Sequence, residues 1–419
     1  MKFNTLDEFL HYYIDLNYRY DILYFNDNEL YKDLFEYAYA RKANVVYQNL
    51  LGYLYKYGEG VEKNLSSSFE WFYKAATNGH GYSMYELGLM YEKGSGIQQD
   101  LNQALFWYTK ASDLGVDAAL NNLAFLYDRG IGCKENPEYA FELYLKAAEK
   151  GNSAAITNVA LCYRKGRGVK LDYNQALSWY QLGANNGDKV ALNSLGFMYE
   201  NGYGCEKNVD KAFDYYLQAA NKGLATAMTN VGFFYDRGIS VAQDFKQALY
   251  WYELAAEKGD KYAMRNVGLF YKDGIGTSIN LEKAFYWFRK AAEAGHRTAM
   301  VHLGYMYEKG SGVTQNYNLA LEWYLKAAKL GDAVALSNIG VYYENGYGVE
   351  KNETIAVSYY RQAADKGEGV GYYNLGVCYK NGIGVEKNYS SALLYLQKAI
   401  EKKYPSAQKV YDDLKKMIS

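Results

Sequence analysis

The chain has 419 residues and a formal charge of -1, from 46 lysines and arginines against 47 aspartates and glutamates. This balance lacks the basic excess typical of nucleic-acid-binding proteins, and no apolar run approaches the roughly 18 residues that a membrane span needs. With 40 glycines and only 2 prolines, the composition favours a soluble helical chain with regular punctuation.

Residues 1–42 are the least regular segment. The opening MKFNTLDEFL places acidic residues where a secretion signal has basic and then apolar ones, so we expect a cytoplasmic protein. Asn28 suits a helix N-cap, and Ala40 suits a close helix contact further along the same helix. We predict a degenerate helical cap for this segment, with a docking arm or a dimer contact as alternatives.

Residues 43–402 contain ten copies of a 36-residue repeat without insertion or deletion. A tyrosine is followed three residues later by a glycine in every copy. The tyrosines are Tyr55, Tyr91, Tyr127, Tyr163, Tyr199, Tyr235, Tyr271, Tyr307, Tyr343 and Tyr379. Such a strict period predicts an array in which each unit packs mainly on its neighbours.

Each copy is predicted to contain two helices. The first ends at the recurring glycine, which suits the left-handed conformation of a helix C-cap. After a GxGV-type turn, the second helix follows an asparagine or aspartate, such as Asn64 or Asp100, that can accept bonds from free backbone amides. These signals predict an all-α solenoid built from helix pairs.

Two kinds of residue predict tight packing between the paired helices. Gly52 and its equivalents lie inside the first helix, where glycine costs about 1 kcal/mol relative to alanine unless a close contact offsets it. Ala124 and Ala160 replace it in two copies. Six tryptophans share one phase of the second helix and predict a core stripe: Trp71, Trp107, Trp179, Trp251, Trp287 and Trp323.

Residues 403–419 match the first half of an eleventh copy. Asp412 replaces the glycine inside the helix, and the neighbouring side chains are charged. We therefore predict a solvent-tolerant capping helix at this end of the array.

The pattern LGxxYxxGxGVxxN…AxxWYxKAAxxG resembles the Sel-like repeat (SLR) family of the tetratricopeptide superfamily over residues 43–402. Residues 87–115, LGLMYEKGSGIQQDLNQALFWYTKASDLG, illustrate the match. Ser240 departs from it at a turn glycine and Lys403 at a closing glycine, which predicts looser turns there. The resemblance implies a right-handed superhelix of antiparallel helix pairs and work as a protein-binding adaptor or scaffold.

The cysteines and histidines show no spacing typical of a catalytic or metal site. Cys162 and Cys378 share one apolar phase, and Cys133 and Cys205 share another, so we predict buried, reduced thiols. Besides His11 there are three histidines, of which two are predicted in solvated turns and one in a slot usually held by asparagine: His80, His296 and His302. We expect neither an enzyme nor a bound cofactor or metal, and a hydrolase is the least favoured alternative.

An asparagine ladder is the most informative polar feature. Its members lie two residues before the helix glycine or its alanine replacement: Asn122, Asn158, Asn230, Asn266, Asn338 and Asn374, with Glu86, Ser194 and His302 completing the column. An amide both donates and accepts, so the ladder can hold an extended peptide or a carboxylate. The alternative is a structural bridge between neighbouring first helices.

Aromatic and basic residues are predicted on the same face of the first helices. They are Phe125, Phe197, Phe233, Tyr305, Arg129, Arg164, Lys165 and Arg237. Together with the ladder they favour an interface for an acidic peptide, whereas partly buried rings and mutually paired charges are the alternative.

We therefore predict a non-enzymatic cytoplasmic scaffold whose concave surface holds a partner peptide or protein, in an oligomeric state that the sequence leaves open. A secreted or surface-exposed factor that interacts with a host or an envelope is the second candidate.

Overall fold

The computed structural model describes residues 2–3, 5, 8–10, 24–25 and 28–418. Strands β1 (Lys2–Phe3) and β2 (Tyr24–Phe25) pair in parallel. Of the cap predicted over residues 1–42, residues 1, 4, 6–7, 11–23 and 26–27 lie outside the described residues, and His11 is among them. Within the described ranges, no helix has both the length and the apolar character that a membrane span requires.

Two compact units divide the chain, Met1–Tyr215 and Tyr216–Ser419. In the first unit, helices alternate regularly and successive helices pack together. They are α1 (Asn28–Ala40), α2 (Val45–Tyr57), α3 (Leu65–Thr77), α4 (Gly81–Lys93), α5 (Leu101–Asp113), α6 (Asp117–Arg129), α7 (Pro137–Glu149), α8 (Ser153–Lys165), α9 (Tyr173–Asn185) and α10 (Lys189–Asn201).

Helix α11 (Val209–Asn221) contains the boundary between the units, and the second unit continues the alternation. Its helices are α12 (Ala225–Arg237), α13 (Phe245–Glu257), α14 (Lys261–Asp273), α15 (Leu281–Glu293), α16 (Arg297–Lys309), α17 (Tyr317–Lys329), α18 (Ala333–Asn345), α19 (Glu353–Asp365), α20 (Gly369–Asn381), α21 (Tyr389–Glu401) and α22 (Ala407–Ile418). The predicted all-α solenoid of helix pairs is confirmed.

The helices begin and end at the cap residues that the repeat predicts. Helix α6 ends at Gly130, whose φ of 64° places its N–H on Leu126 O. Helix α3 begins after Asn64, whose Oδ1 accepts from Ser67 N at 2.9 Å. Caps of these two kinds satisfy backbone groups that have no partner inside the helix.

Two residues adopt the left-handed conformation without being glycine. Ser240 has a φ of 63° and Lys403 a φ of 60°. Both residues adopt the conformation that glycine has elsewhere, so the backbone of these turns is kept, and their loosening stays a prediction. A side chain in this region costs roughly 1–2 kcal/mol.

The glycines inside the first helices receive a side chain of the paired helix. A Cβ at Gly88 would lie 2.5 Å from the ring of Tyr108, and a Cβ at Gly52 would lie 2.5 Å from Phe72. The predicted close approach is therefore confirmed. The side chain at this position of the second helix is fully or nearly fully buried in every copy: Phe72, Tyr108, Tyr144, Tyr180, Tyr216, Tyr252, Phe288, Tyr324, Tyr360 and Leu396.

This buried column stands one residue after the tryptophan phase. Trp107 is buried, but the other five tryptophans, including Trp71 and Trp179, are half-buried. The predicted tryptophan core stripe is thus only partly right, because the next side chain along the helix takes the central place. At the end of the second unit, Leu414 of α22 packs with Leu396 of α21.

Candidate functional site

An open cleft of about 790 Å³ lies along α6 and α8 in the first unit. Four of the residues that the sequence predicts for a binding surface line this cleft, namely Phe125, Arg129, Asn158 and Lys165. The structure therefore brings part of the predicted set together, and all four residues belong to one unit.

The cleft presents one aromatic ring among charged side chains. Phe125 is 42% exposed, and Arg129 lies over its ring at 5.9 Å. Arg129 Nε is 3.4 Å from Asp128 Oδ2, so its charge is partly balanced by its neighbour in sequence. Lys165 at the end of α8 is exposed and forms no ion pair within 4 Å among the described residues. An apolar ring bordered by cationic groups suits a mixed apolar and anionic ligand.

Arg167 is a cleft residue that the sequence reasoning missed. Its Nη2 donates to Glu135 Oε1 at 2.9 Å, and its guanidinium also bonds to the carboxylate and the carbonyl oxygen of Asp128. It stands between Gly166 and Gly168, in a turn position where no other copy has a basic residue. This unusual basic residue was the feature of the sequence that could have pointed to Arg167.

The asparagine ladder is half-buried throughout. Asn158 Nδ2 donates to Asn121 Oδ1 at 2.9 Å, from one first helix to the preceding one. Asn122 Nδ2 donates to the hydroxyl of Tyr108 at 3.3 Å. In these two positions the ladder bridges helices, as the structural alternative predicts, while Asn158 also lines the cleft.

The hydroxyls of buried tyrosines donate hydrogen bonds to acidic residues of the first helices. Tyr324 donates to Glu308 Oε2 at 3.0 Å, and Tyr360 donates to Glu344 Oε2 at 2.5 Å. Burial and these hydrogen bonds raise the tyrosine pKa values strongly. The hydroxyls therefore stay protonated and serve as fixed donors.

Where the buried ring is a phenylalanine and has no hydroxyl, the hydrogen bond between tyrosine and an acidic residue is replaced by another contact. Beside Phe72, Lys56 Nζ forms a 2.6 Å ion pair with Glu86, the first residue of the ladder column. Beside Phe288, the ring of His302 stacks at 4.8 Å between centroids. The stacking of His302 on Phe288 places this member of the ladder column against a buried side chain.

The remaining aromatic and basic residues form local pairs. Phe233 and Tyr305 are 39% and 49% exposed. Arg237 lies 5.8 Å from the Phe233 ring and 3.7 Å from Asp236. Lys309 shows the same arrangement with Tyr305 and Glu308, whereas Phe197 is half-buried under Arg164 at 5.0 Å. These positions match the alternative of mutually paired charges.

The thiols are all free. Cys162 and Cys378 are buried as predicted, and burial raises the pKa of the Cys162 thiol to about 11. Cys133 and Cys205 are only half-buried, contrary to the prediction, because they stand in the turn after the first helix. Within the part of the chain that the structure describes, no cluster of three or more histidine, cysteine or acidic side chains is placed to hold a metal ion.

The two turn histidines have a different role from the predicted one. His80 is 8% exposed, and its Nδ1 accepts from Ser83 N at 3.2 Å as the N-cap of α4. His296 caps α16 through Ala299 N in the same way. The predicted solvated turn is wrong for His80, because its ring packs inward, where Nδ1 also lies 3.1 Å from the Oγ of the fully buried Ser83.

The family model described as Sel1 repeat matches ten consecutive segments of the chain. They are residues 45–80, 81–116, 117–152, 153–188, 189–224, 225–260, 261–296, 298–332, 333–368 and 369–404. No curated protein matches the chain.

Two solved structures are similar over long stretches. The first is a protective antigen of uropathogenic Escherichia coli strains that displays an SLR fold. It is 33% identical, with a TM-score of 0.64, over 91% of this chain and 82% of its own. The second is a Sel1 repeat protein from Oxalobacter formigenes, 30% identical with a TM-score of 0.53, over 58% of this chain and 96% of its own. The chain thus belongs to the Sel1 repeat family, within the tetratricopeptide-like superfamily.

Proposed function

We propose that the chain is a cytoplasmic scaffold that holds an acidic segment of a partner protein in the cleft of its first unit. One observation carries the proposal: Phe125, Arg129, Asn158 and Lys165 line the same open cleft. Membership of a repeat family whose folds generally bind proteins supports it. No chemistry is assigned to the cleft, and its residues act by binding.

The charges around the cleft decide which partner is favoured. Arg167 engages both Asp128 and Glu135, so these two carboxylates are already paired. Arg129 and Lys165 remain exposed and can meet carboxylates of a partner. Asn158 can donate and accept along a peptide backbone, and Phe125 supplies apolar contact.

The test is affinity purification from the native cytosol with a matched pair of variants. The first variant combines Arg129→Glu and Lys165→Glu. The control combines Arg289→Glu and Lys290→Glu, which reverses the same number of charges on exposed residues of α15 in the other unit. Both must keep the helical circular dichroism of the wild type.

We expect one protein to be recovered by the wild type and the control and lost with the cleft variant. A synthetic acidic segment of that protein should then bind the wild type directly. Recovery of the same protein with both variants would refute the cleft and direct attention to other surfaces.

A second candidate is a surface-exposed factor. The observation in its favour is that the 33% identical structure is that of a protective antigen of uropathogenic Escherichia coli strains. Protease treatment of intact cells that carry a tagged copy tests it. Degradation of the tagged chain, with a cytosolic marker intact, would favour this candidate over the cytoplasmic one.

A further inference from the structure

Four junctions between neighbouring first helices contain a complementary polar pair. Between α6 and α8, Asn152 Nδ2 donates to Asp117 Oδ2 at 2.9 Å. Between α8 and α10, Thr157 Oγ1 donates to Asp188 Oδ2 at 2.8 Å. One side of each junction offers a donor and the other a carboxylate.

The second unit repeats this rule at two junctions. Arg297 Nε lies 3.4 Å from Asp332 Oδ2, between α16 and α18. Ser337 Oγ donates to Glu368 Oε2 at 2.9 Å, between α18 and α20. In both cases the N-cap residue of the second helix supplies the carboxylate.

The junction between α14 and α16 breaks the rule. Lys261 and Arg265 of α14 occupy the donor positions, but the N-cap residue of α16 is His296. Because His296 Nδ1 accepts from Ala299 N at 3.2 Å, the neutral ring carries its proton on Nε2 and offers a further donor. Donors therefore face donors here.

Arg265 is left without an acidic partner in this junction. It is half-buried, its Nη1 donates to Asn266 Oδ1 at 3.0 Å, and its buried Nε has no acceptor among the described residues. No ion pair joins Arg265 to a carboxylate in the described part of the chain. A partly buried guanidinium without a counter-charge is costly.

The excess of positive charge contributes to lowered pKa values of two neighbouring histidines. Desolvation and then the charge of Arg265 lower the pKa of His302 to about 4. The same two causes lower the pKa of His296, and Lys261 lowers it further. Tyr262, 59% exposed, lies edge-on to His296 at 5.1 Å, so the junction is bordered by an exposed ring at the surface.

We propose that Lys261, Arg265 and His296 form a binding site for a single carboxylate group of a partner molecule. The carboxylate would take the place that Asp188, Asp332 and Glu368 have in other junctions. Its source is either an acidic side chain or the carboxyl terminus of a polypeptide. The site is built from the second unit alone, and its test does not depend on the cleft.

The experiment follows the Nε–Hε signals of the full-length protein labelled with ¹⁵N-arginine, and Arg265→Gln identifies the signal by its loss. N-acetylglycine is the probe for a chain terminus, and N-acetylaspartate α-amide is the probe for a side chain. N-acetylglycine amide, which has no charge, is the control. We expect a saturable shift of the Arg265 signal with one or both carboxylates and none with the amide.

The decisive variant is His296→Asp, which supplies the acid that the other junctions contain. We expect it to weaken carboxylate binding at Arg265 at least about tenfold, since a charge-assisted bond is lost to the ligand. His80→Asp makes the same change at a junction without arginine and should leave the titration unchanged. Unaltered binding in His296→Asp, or a shift with inorganic phosphate alone, would overturn the proposal.

Discussion

The hydroxyl of Tyr108 donates to Glu92 Oε2 at 2.5 Å and accepts from Asn122 Nδ2 at 3.3 Å. Three helices, α4, α5 and α6, thus meet at one buried oxygen. The hydroxyl links a helix pair to the first helix of the next repeat. The ladder residue Asn122 is therefore part of how successive repeats are joined.

The same combination recurs along the sequence. Sixteen residues before each tyrosine of the buried column that follows the tryptophan phase, the chain has an acidic residue, as in Glu92 before Tyr108, with Arg164 before Tyr180 as the exception. Sixteen residues before Phe72, Phe288 and Leu396 it has lysine instead. An acidic residue therefore occurs where a tyrosine hydroxyl can donate a hydrogen bond to its carboxylate. This agrees with the free-energy cost of leaving a buried charge without a partner.

Tyr108→Phe tests this link. Removing the hydroxyl leaves Glu92 Oε2 without its donor, so we expect a loss of about 2 kcal/mol in the free energy of unfolding. The measurement is the urea midpoint followed by circular dichroism. Tyr73→Phe, at a ring that is 45% exposed, is the control and should change little. Adding both Glu92→Lys and Asn122→Glu to Tyr108→Phe should restore part of the loss, because it recreates the arrangement of Lys56, Glu86 and Phe72.

Ser240→Gly tests the strained turn. Because Ser240 has a φ of 63°, glycine should raise the unfolding free energy by about 1 kcal/mol. The reverse change, Gly276→Ser, should lower it, since a Cβ there would lie 2.5 Å from Phe245 O. Thermal unfolding of both variants is the measurement. Equal stability of wild type and Ser240→Gly would show that this turn carries no strain.

His80 predicts a loss of stability in acid. Burial lowers its pKa from 6.5 to about 4, so between these values the unfolded chain binds a proton that the folded chain does not. The stability contributed by neutral His80 is complete above pH 6.5 and falls as the pH drops towards 4, by as much as about 3 kcal/mol. Protonation at Nδ1 would also remove the acceptor for Ser83 N.

His80→Asn provides the comparison, since Asn152 caps the equivalent helix. We expect the variant to lose less stability than the wild type between pH 7.5 and pH 4.5, because one titrating group is gone. Urea midpoints across this range measure the difference. Parallel curves for the two proteins would contradict the assignment.

Asn158→Ala separates the two roles of the ladder. Loss of the bond to Asn121 Oδ1 should cost about 1 kcal/mol of unfolding free energy. If Asn158 also contacts a ligand in the cleft, binding of the identified acidic segment should weaken in folded protein. Unchanged affinity together with reduced stability would assign this residue to structure alone.

Much of the fold was predictable because its signals are local. A glycine with positive φ, such as Gly130, can hardly be replaced, and an N-cap such as Asn64 acts within three residues of itself. The fixed period then gives the neighbour of every helix. The cores of the helix pairs follow from the helix glycines, which receive a bulky side chain.

The site was harder to predict because its contacts are distant in sequence or depend on a rotation of the helix. Trp71 and Phe72 are adjacent and both aromatic, and only packing decides that Phe72 is the fully buried one. Arg167 resembles an exposed turn residue until its bonds to Asp128 and Glu135 are seen. Phe125 and Lys165 were predicted on one face and do line one cleft, but the part that Arg167 has in that cleft depends on the turn, which no helical spacing encodes.

Few substitutions would be needed to build a copy of the cleft in the second unit. In the second unit Phe233, Asp236, Arg237 and Asn266 stand at the positions of Phe125, Asp128, Arg129 and Asn158, with Gln243, Asp273 and Ile275 in place of Glu135, Lys165 and Arg167. Substituting those three residues would copy the charged groups onto an existing helix pair. If the cleft binds the acidic segment that we propose, such a protein would carry two sites for that segment on one chain and would bind a ligand with two such segments more tightly than either site alone.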